Sequence, residues 1–235
     1  VPGRSRPVYN VHPYGMLSCE TAIVKSSNVG AIKAGQQIGA ERMSMYLNRF
    51  GFGQVLSPDF SGQSRGIVHP ASTLGESGLA SISMGYQIGV TPMQMAAAVS
   101  SIANGGTLYE PRMVRAFIRN GRREAQHAAR PIWLPGRREA VPTKVVRRTI
   151  SPETAATLRQ IMEGVVERGT AKAAQIEGYT IAGKTGTAAK AIPGGYSDTE
   201  YNVSFVGFVP SRKPALAVVV VIDSPRGKVT AYGGS

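Results

Sequence analysis

Apolar positions in the first part of the chain recur at helical spacing and are interrupted at defined points. Residues 15–39 predict a helix, a break at Ser26-Ser27-Asn28 and a second helix. Serine and asparagine favour such a break because their side chains compete for backbone hydrogen bonds. The next apolar stretch predicts a short helix that ends at Gly51.

Two later segments begin with stronger helix-start signals. In each, a hydroxyl residue that can cap a helix precedes a proline at the first helical position, and a glycine ends the pattern. These signals are Thr91, Pro92 and Gly105 or Gly106 for the first helix, and Ser151, Pro152 and Gly169 for the second. Residues 51–90 are rich in glycine and serine without a clear period, so we predict mostly loop there.

The last third of the chain has the pattern of β-strands. Residues 178–188 are β-branched and aromatic until the glycines, and residues 201–210 are mainly apolar with an alternating pattern. Residues 215–223 form a continuous apolar run, which predicts a strand buried on both faces. Only residues 211–214 separate the last two strands, and so short a connection predicts an antiparallel hairpin.

The net charge of +13 is unevenly distributed along the chain. Residues 112–148 carry ten arginines and one lysine against two glutamates, so +9 of the charge lies there. One interpretation is a patch that binds a polyanion such as nucleic acid, anionic lipid or an anionic wall polymer. The other is a solvated excursion, which we favour because the segment lacks an alternating aromatic platform for bases. We therefore expect no nucleic-acid partner.

Cysteine and histidine usage argues against a disulfide or a metal site. Cys19 lies in an apolar helical pattern, which predicts a buried core position. His12, His69 and His127 share no ligand spacing, so we expect neither a metal nor a cofactor. No uninterrupted apolar run approaches the roughly 20 residues that a membrane-spanning helix needs.

A phosphate-binding loop is the first interpretation that the segment around Lys184 invites. Gly178 to Thr185 fits G-x-x-x-x-G-K-[ST], and Asp223 ends an apolar strand in the manner of a magnesium ligand. Residues 179–182, however, prefer an extended strand to a flexible loop. Residues 186–198 contain a proline and three glycines and cannot supply the helix that must face the phosphates. We therefore reject this interpretation.

Placed on a strand, the same residues suit an edge that binds an extended ligand. Alternation sends Lys184 and Gly186 to one face and Thr185 and Thr187 to the other, unless the glycine twists the strand. Gly186 lets an extended ligand lie close to the backbone because it has no Cβ. Lys184 can fix a proton network, and the two threonine hydroxyls can hold a carboxylate if the twist brings them to the site.

Two short motifs and their surroundings resemble the transpeptidase domain of class B penicillin-binding proteins. The motifs are S-x-N at Ser26-Ser27-Asn28 and K-T-G at Lys184-Thr185-Gly186, in the order that active-site serine penicillin-binding enzymes use. The surroundings are "KSSNVGAIKAGQQIG", "SMGYQIGVTPMQMAAAVSSIANGGTLYEPRMV", "GTAKAAQIEGYTIAGKTGTA" and "YNVSFVGFVP". The resemblance covers essentially the whole chain.

The resemblance implies an α/β fold of α+β type, of the penicillin-binding and β-lactamase-like class. It predicts an antiparallel sheet flanked by helices, together with an all-helical subdomain. Within one domain over 1–235 we expect a mainly helical part (1–110) with the S-x-N motif and a basic irregular excursion (111–150). Residues 151–235 would then hold a helix and antiparallel strands with the K-T-G motif.

The resemblance also implies an activity and a set of site residues. Members cross-link peptidoglycan: a serine attacks D-Ala-D-Ala, forms an acyl-enzyme and passes it to an amine. By resemblance, Ser26 relays a proton to the leaving group, Asn28 binds the substrate's peptide amide, and Lys184 tunes that relay. Thr185 and Thr187 hold the terminal carboxylate, and the Thr187 N–H forms half of an oxyanion hole.

The chain departs from the family at the nucleophile. No serine in the sequence is followed three residues later by a lysine, so the S-x-x-K motif is missing. We expect a transpeptidase fragment, truncated at both ends and inactive alone, that belongs to a protein anchored at the outer, periplasmic face of the bacterial cytoplasmic membrane. The expected partners are the stem peptide, β-lactams, and divisome or elongasome proteins including a glycosyltransferase. The alternatives are a non-catalytic module and a related carboxypeptidase or β-lactamase.

Overall fold

A computed structural model of the protein describes residues 1–3, 7–10, 12–119, 123–124, 132–133 and 137–226. The prediction for His127 lies outside these ranges. Helices and strands follow one another along the chain as α1 (Cys19–Val24), α2 (Asn28–Ile38), α3 (Ala40–Arg49), α4 (Glu76–Ser83), α5 (Pro92–Ala103), β1 (Thr107–Tyr109), β2 (Ala116–Arg119), β3 (Arg123–Glu124), β4 (Ile132–Trp133), β5 (Arg137–Ala140), β6 (Val145–Arg148), α6 (Pro152–Arg168), β7 (Ala182–Ile192), β8 (Gly195–Val209) and β9 (Leu216–Asp223). Short 3₁₀ turns lie at Ala71–Thr73 and Lys172–Ala174.

The predicted helix starts are confirmed. Thr91 caps α5 in a full capping box, in which its side chain accepts from the Gln94 N–H and the Gln94 side chain accepts from the Thr91 N–H. Ser151 caps α6 by accepting from the Thr154 N–H, and Gly169 ends that helix. The break after α1 also lies where the sequence places it, because Ser27 is the N-cap of α2.

The loop prediction for residues 51–90 is wrong over α4. This helix contains two serines and a glycine among its first six residues, so its intrinsic helix propensity is poor. Tertiary packing stabilises this helix instead, since Leu79 and Ile82 are buried and α4 lies against α2. A Cβ on Gly35 of α2 would lie 1.9 Å from the Ser83 Oγ, so the two helices approach closely at this glycine.

A three-stranded antiparallel sheet in the order β7-β8-β9 carries the last third of the fold. The β8–β9 hairpin is as predicted, with Val206 opposite Val219. The K-T-G strand β7 begins four residues later than predicted and runs on to Ile192, where a turn leads directly into β8. Helices α5 and α6 cover this sheet through a core of Val99, Ala103, Met162, Ala182 and Phe208.

Two sequence predictions of burial are corrected. The apolar strand β9 is not buried on both faces: Leu216 is 66% exposed and Ile222 is 52% exposed. Within the part of the chain that the structure describes, β9 pairs only with β8, so its other edge has no strand neighbour. Cys19 is exposed and not in the core, because it is the first residue of a six-residue helix whose buried residue is Val24.

The basic excursion is more regular than its sequence predicts. Its described residues form two short antiparallel ladders, β2 with β5 and β3 with β4. Such a ladder is held by backbone hydrogen bonds, which do not require an alternating apolar pattern. At its base, Asp59 accepts backbone N–H bonds from Met113 and Val114, at 2.7 and 3.1 Å. These bonds, together with Arg112, hold the pKa of Asp59 below its usual range.

Candidate active site

Ser26 occupies a strained position at the end of α1. Its N–H donates to the Ile23 carbonyl at 3.0 Å, and the Ser27 N–H donates to the Ala22 carbonyl at 2.8 Å. These two bonds are the Schellman pattern that ends many helices, in which a residue with left-handed backbone follows the last turn. Glycine is usual at that place, but here it is Ser26, with φ 54°. The turn therefore directs a hydroxyl out of the helix end at a cost in backbone energy.

The rest of the S-x-N motif starts helix α2. Ser27 accepts from the Gly30 N–H at 3.0 Å and donates to the Asn10 Oδ1 at 3.1 Å. Asn28 is the first residue of α2, and its Nδ2 donates to the Tyr9 carbonyl at 3.5 Å. At that length the hydrogen bond is weak, so a ligand carbonyl could replace Tyr9 at small cost.

Lys184 of β7 contacts Ser26 although the two residues are far apart in the sequence. Its Nζ donates to the Ser26 Oγ at 2.9 Å, across 158 residues of sequence, and to the Thr185 carbonyl at 2.9 Å. The structure thus brings the two motifs into direct contact, as the resemblance implies.

Burial changes the acid–base character of Lys184. Enclosure away from water disfavours the ammonium form and lowers the pKa of Lys184 from 10.5 to about 8. A group with such a pKa exchanges its proton readily near neutral pH, which is the property a proton network needs.

The threonines of β7 have different surroundings. Thr185 Oγ1 lies 2.7 Å from Thr170 Oγ1, in the segment that follows α6. Thr187 lies opposite Val203 of β8 in the strand ladder. The expectation that both hydroxyls hold one carboxylate stays a prediction.

Gly186 lies close to the side chain of its neighbour on β8. A Cβ at this position would lie 2.6 Å from the Ser204 Oγ, which is closer than non-bonded atoms approach. A side chain here would therefore make the Ser204 hydroxyl adopt another rotamer. Close approach of a ligand to the Gly186 backbone stays a prediction.

The geometry excludes a phosphate-binding loop. Lys184 lies within an antiparallel strand that turns directly into β8, so no helix N-terminus follows it. Asp223 is paired with Lys190 at 2.7 Å, a contact that lowers the pKa of Asp223 and raises that of Lys190. Asp223, at the end of β9, is therefore an exposed ion-pair partner of Lys190 on β7.

Contacts from outside the two motifs complete the site, and the sequence did not point to them. They come from Tyr9, Asn10 and Thr170, which lie 15 to 19 residues from the motif residues that they touch. No local spacing rule covers such distances, because each contact depends on how α2, α6 and β7 pack. Among the described residues, no group of three or more His, Cys, Asp or Glu side chains could hold a metal ion, and no helix is long and apolar enough to cross a bilayer.

Sequence comparison identifies the family to which these motifs belong. The family described as "Penicillin binding protein transpeptidase domain" matches residues 4–235. This chain belongs to that family. Stage V sporulation protein D of Bacillus subtilis is 35% identical over 222 residues, covering 94% of this chain and 32% of the relative. PbpB of Mycolicibacterium smegmatis is 34% identical, covering 90% of this chain and 32% of the relative.

A third relative is named for its activity. It is the Pseudomonas aeruginosa protein "Probable peptidoglycan D,D-transpeptidase PbpC", 31% identical over 97% of this chain and 36% of the relative. The chain thus spans about a third of the length of these curated relatives.

Solved structures of this family share the fold. Penicillin-binding protein 3 of Mycobacterium tuberculosis, complexed with ampicillin, matches with a TM-score of 0.80 and 30% identity, covering 93% of this chain and 48% of that one. The transpeptidase domain of Burkholderia pseudomallei penicillin-binding protein 3 matches with a TM-score of 0.77 and 30% identity, covering 96% and 61%. The predicted fold class is therefore confirmed.

Proposed function

We propose that this chain is part of a peptidoglycan D,D-transpeptidase that cross-links the bacterial cell wall through a serine acyl-enzyme. The observation that carries the proposal is the 2.9 Å contact between Lys184 Nζ and Ser26 Oγ. It joins S-x-N and K-T-G in one site, and a relative with 31% identity is named for this activity.

The proposed reaction has two steps. A serine on an S-x-x-K segment outside residues 1–235 attacks the carbonyl carbon between the two D-Ala residues of a stem peptide. An ester forms, the D-Ala-D-Ala peptide bond breaks, and the terminal D-Ala leaves as an amine after taking up a proton. An amine on a neighbouring peptidoglycan chain then attacks the ester, loses a proton and releases the serine hydroxyl.

Ser26 and Lys184 would handle the proton of the leaving group. The Ser26 hydroxyl can give its proton to the departing nitrogen and recover one through the network that includes Lys184. Two features support this role: the direct Ser26–Lys184 hydrogen bond and a lysine pKa of about 8, close to the pH at which an enzyme works.

The remaining motif residues would bind the substrate. Asn28 would exchange its long bond to the Tyr9 carbonyl for one to the substrate's peptide amide. Thr185 and Thr187 would hold the terminal carboxylate, and the Thr187 N–H would stabilise the oxyanion. Gly186 would let the extended peptide lie against β7.

The proposed ligands and surroundings follow from the same chemistry. β-Lactams would acylate the complete protein as mimics of D-Ala-D-Ala, and the related Mycobacterium tuberculosis structure holds ampicillin. The complete protein would work at the outer face of the bacterial cytoplasmic membrane, through an anchor outside this chain. There it would act with divisome or elongasome proteins including a glycosyltransferase.

Labelling with a fluorescent penicillin tests the proposal. The full-length protein should be labelled covalently and residues 1–235 alone should not, because they contain no S-x-x-K serine. In the full-length protein Lys184→Ala should slow labelling by about two orders of magnitude or more, whereas Lys190→Ala on the same strand should not. A full-length protein that is never labelled would support the non-catalytic module. Release of D-Ala without cross-linked product would support a carboxypeptidase.

A further inference from the structure

The Ser26–Lys184 contact needs support from outside the two motifs. Ser26 is exposed, and one hydrogen bond contributes on the order of 1 kcal/mol net, which cannot by itself hold two elements together. Residues 168–170, at the C-terminal end of α6, lie between α1 and β7. We call these three residues the α6 clamp.

The α6 clamp contacts α1 at both of its ends. The Lys25 Nζ donates to the Arg168 carbonyl at 3.2 Å, and the Arg168 guanidinium pairs with Glu20. Gly169 lies directly on the chain before Ser26: a Cβ there would be 2.4 Å from the Val24 carbonyl oxygen. Below this contact Val24 packs with Val165, Val166 and Ala171 in a buried cluster.

The α6 clamp is also fastened to β7. The N–H groups of Gly169 and Ala171 both donate to the Val165 carbonyl at 3.1 Å, which fixes the backbone on either side of Thr170. From this fixed position Thr170 Oγ1 lies 2.7 Å from Thr185 Oγ1, and the pair is partly buried. Thr185 is adjacent to Lys184, and its carbonyl accepts the second hydrogen bond of the Lys184 Nζ.

We propose that Thr170 is a positioning residue of the active site, which holds Thr185 and Lys184 in register with Ser26 through the α6 clamp. Whichever of the two hydroxyls donates, the pair fixes the Thr185 side chain in one rotamer. The packing of Ile181, just before β7, against the buried cluster of Val24 keeps the strand beside α1. Thr170 does not touch the reacting atoms in this role. The inference rests on the proposed function for its kinetic effect, but its geometric effect on Lys184 does not.

Matched substitutions in the full-length protein test this role. Thr170→Val removes the hydroxyl and keeps the branched shape, whereas Thr170→Ser keeps the hydroxyl. Thr157→Val is the control, because Thr157 is an exposed threonine of α6 whose hydroxyl donates to the Glu153 carbonyl at 3.0 Å. We expect Thr170→Val to slow penicillin acylation by about ten- to a hundredfold, with Thr170→Ser and Thr157→Val close to the unaltered protein.

A second measurement works whether or not the protein reacts with penicillin. The pH dependence of Lys184 modification by an amine-reactive reagent, followed by mass spectrometry, reports the pKa of Lys184. Thr170→Val should raise this pKa toward the ordinary value, because a loosened strand admits water to the ammonium group. Thr170→Ser and Thr157→Val should leave the pKa of Lys184 unchanged.

The outcomes separate the two proposals. If the unaltered full-length protein is not acylated, the proposed function fails and the Lys184 titration still decides the clamp. If it is acylated and Thr170→Val matches it in rate and in the pKa of Lys184, the clamp proposal is overturned. A Thr170→Ser variant as impaired as Thr170→Val would overturn it too, because the hydroxyl would not be the group that matters.

Discussion

At the scale of single residues, Ser26 combines a reactive position with an unfavourable backbone. A non-glycine residue in the left-handed region costs about 1–2 kcal/mol, and the Schellman turn holds Ser26 there with φ 54°. A residue chosen for stability alone would be glycine. The serine at this place therefore indicates that the hydroxyl beside Lys184 serves a purpose other than folding.

The comparison of Ser26→Gly with Ser26→Ala tests this conclusion. Both variants remove the hydroxyl, but only glycine relieves the backbone strain. We expect Ser26→Gly to be more stable than Ser26→Ala by about 1 kcal/mol in chemical denaturation, and both full-length variants to lose most of their penicillin acylation. A Ser26→Ala variant more stable than Ser26→Gly would show that the turn carries no strain, because alanine also lowers the conformational entropy of the unfolded chain.

Lys184 also lowers the stability of the fold, in its case through its charge. Because its pKa is lower in the folded protein, the unfolded protein binds more protons between about pH 8 and 10.5. Stability is therefore reduced below that window and rises with pH through it. A partly buried ammonium with two hydrogen-bond partners is retained although folding does not favour it.

The Lys184→Met variant removes this pH dependence. We expect its free energy of unfolding at neutral pH to stay within about 2 kcal/mol of the unaltered protein, because relief of desolvation offsets two lost hydrogen bonds. The rise of stability between about pH 8 and 10.5 should disappear. Urea denaturation across that range measures both effects, with Lys190→Met as the control. A rise that persists in Lys184→Met would assign it to another group.

At the scale of elements, the sequence predicts those whose signals are local. The capped helices α5 and α6 are right because Thr91-Pro92 and Ser151-Pro152 fix their starts without help from the rest of the fold. Helix α4 was missed because its stability comes from packing against α2, which no local pattern reports. The contact between Thr170 and Thr185 was missed for the same reason, although both motifs of the site were found.

Gln94 shows how a capping residue can also connect elements. It is 1% exposed; its Oε1 accepts from the Thr91 N–H, and its Nε2 donates to the carbonyls of Gln54 and Arg65 at 2.9 and 3.0 Å. Gln94→Ala would remove the partner of the Thr91 N–H and of the Gln54 and Arg65 carbonyls, all in part-buried hydrogen bonds. We expect a loss of about 2–4 kcal/mol in the free energy of unfolding.

Gln37, an exposed glutamine of α2, is the matched control for this substitution. Gln37→Ala changes the same side chain without any buried partner, and we expect its stability to stay within about 0.5 kcal/mol. Thermal and urea denaturation of the two variants provide the comparison. Equal losses would show that the Gln94 hydrogen bonds do not stabilise the fold.

At the scale of the whole molecule, the sheet is unevenly covered. Helices α5 and α6 bury the residues of the core around Phe208, whereas Val218, Val220 and Ile222 of β9 are about half exposed. The apolar run correctly predicts the strand β9 but not its exposure. Such a run shows that a strand can be buried, and it does not show which elements cover it. In the described part of the chain the free edge of β9 also keeps its backbone groups without a strand partner.

Residues 1–235 alone should therefore self-associate through β9. Exposed apolar edge strands pair with further strands unless a charge blocks them. Val220→Lys places a charge on this strand, and Ile176→Lys places the same charge on a side chain that is 58% exposed but outside any strand. Sedimentation velocity over a range of concentrations should show association in the unaltered chain and in Ile176→Lys, and a monomer in Val220→Lys. Association that persists in Val220→Lys would place the contact elsewhere on the surface.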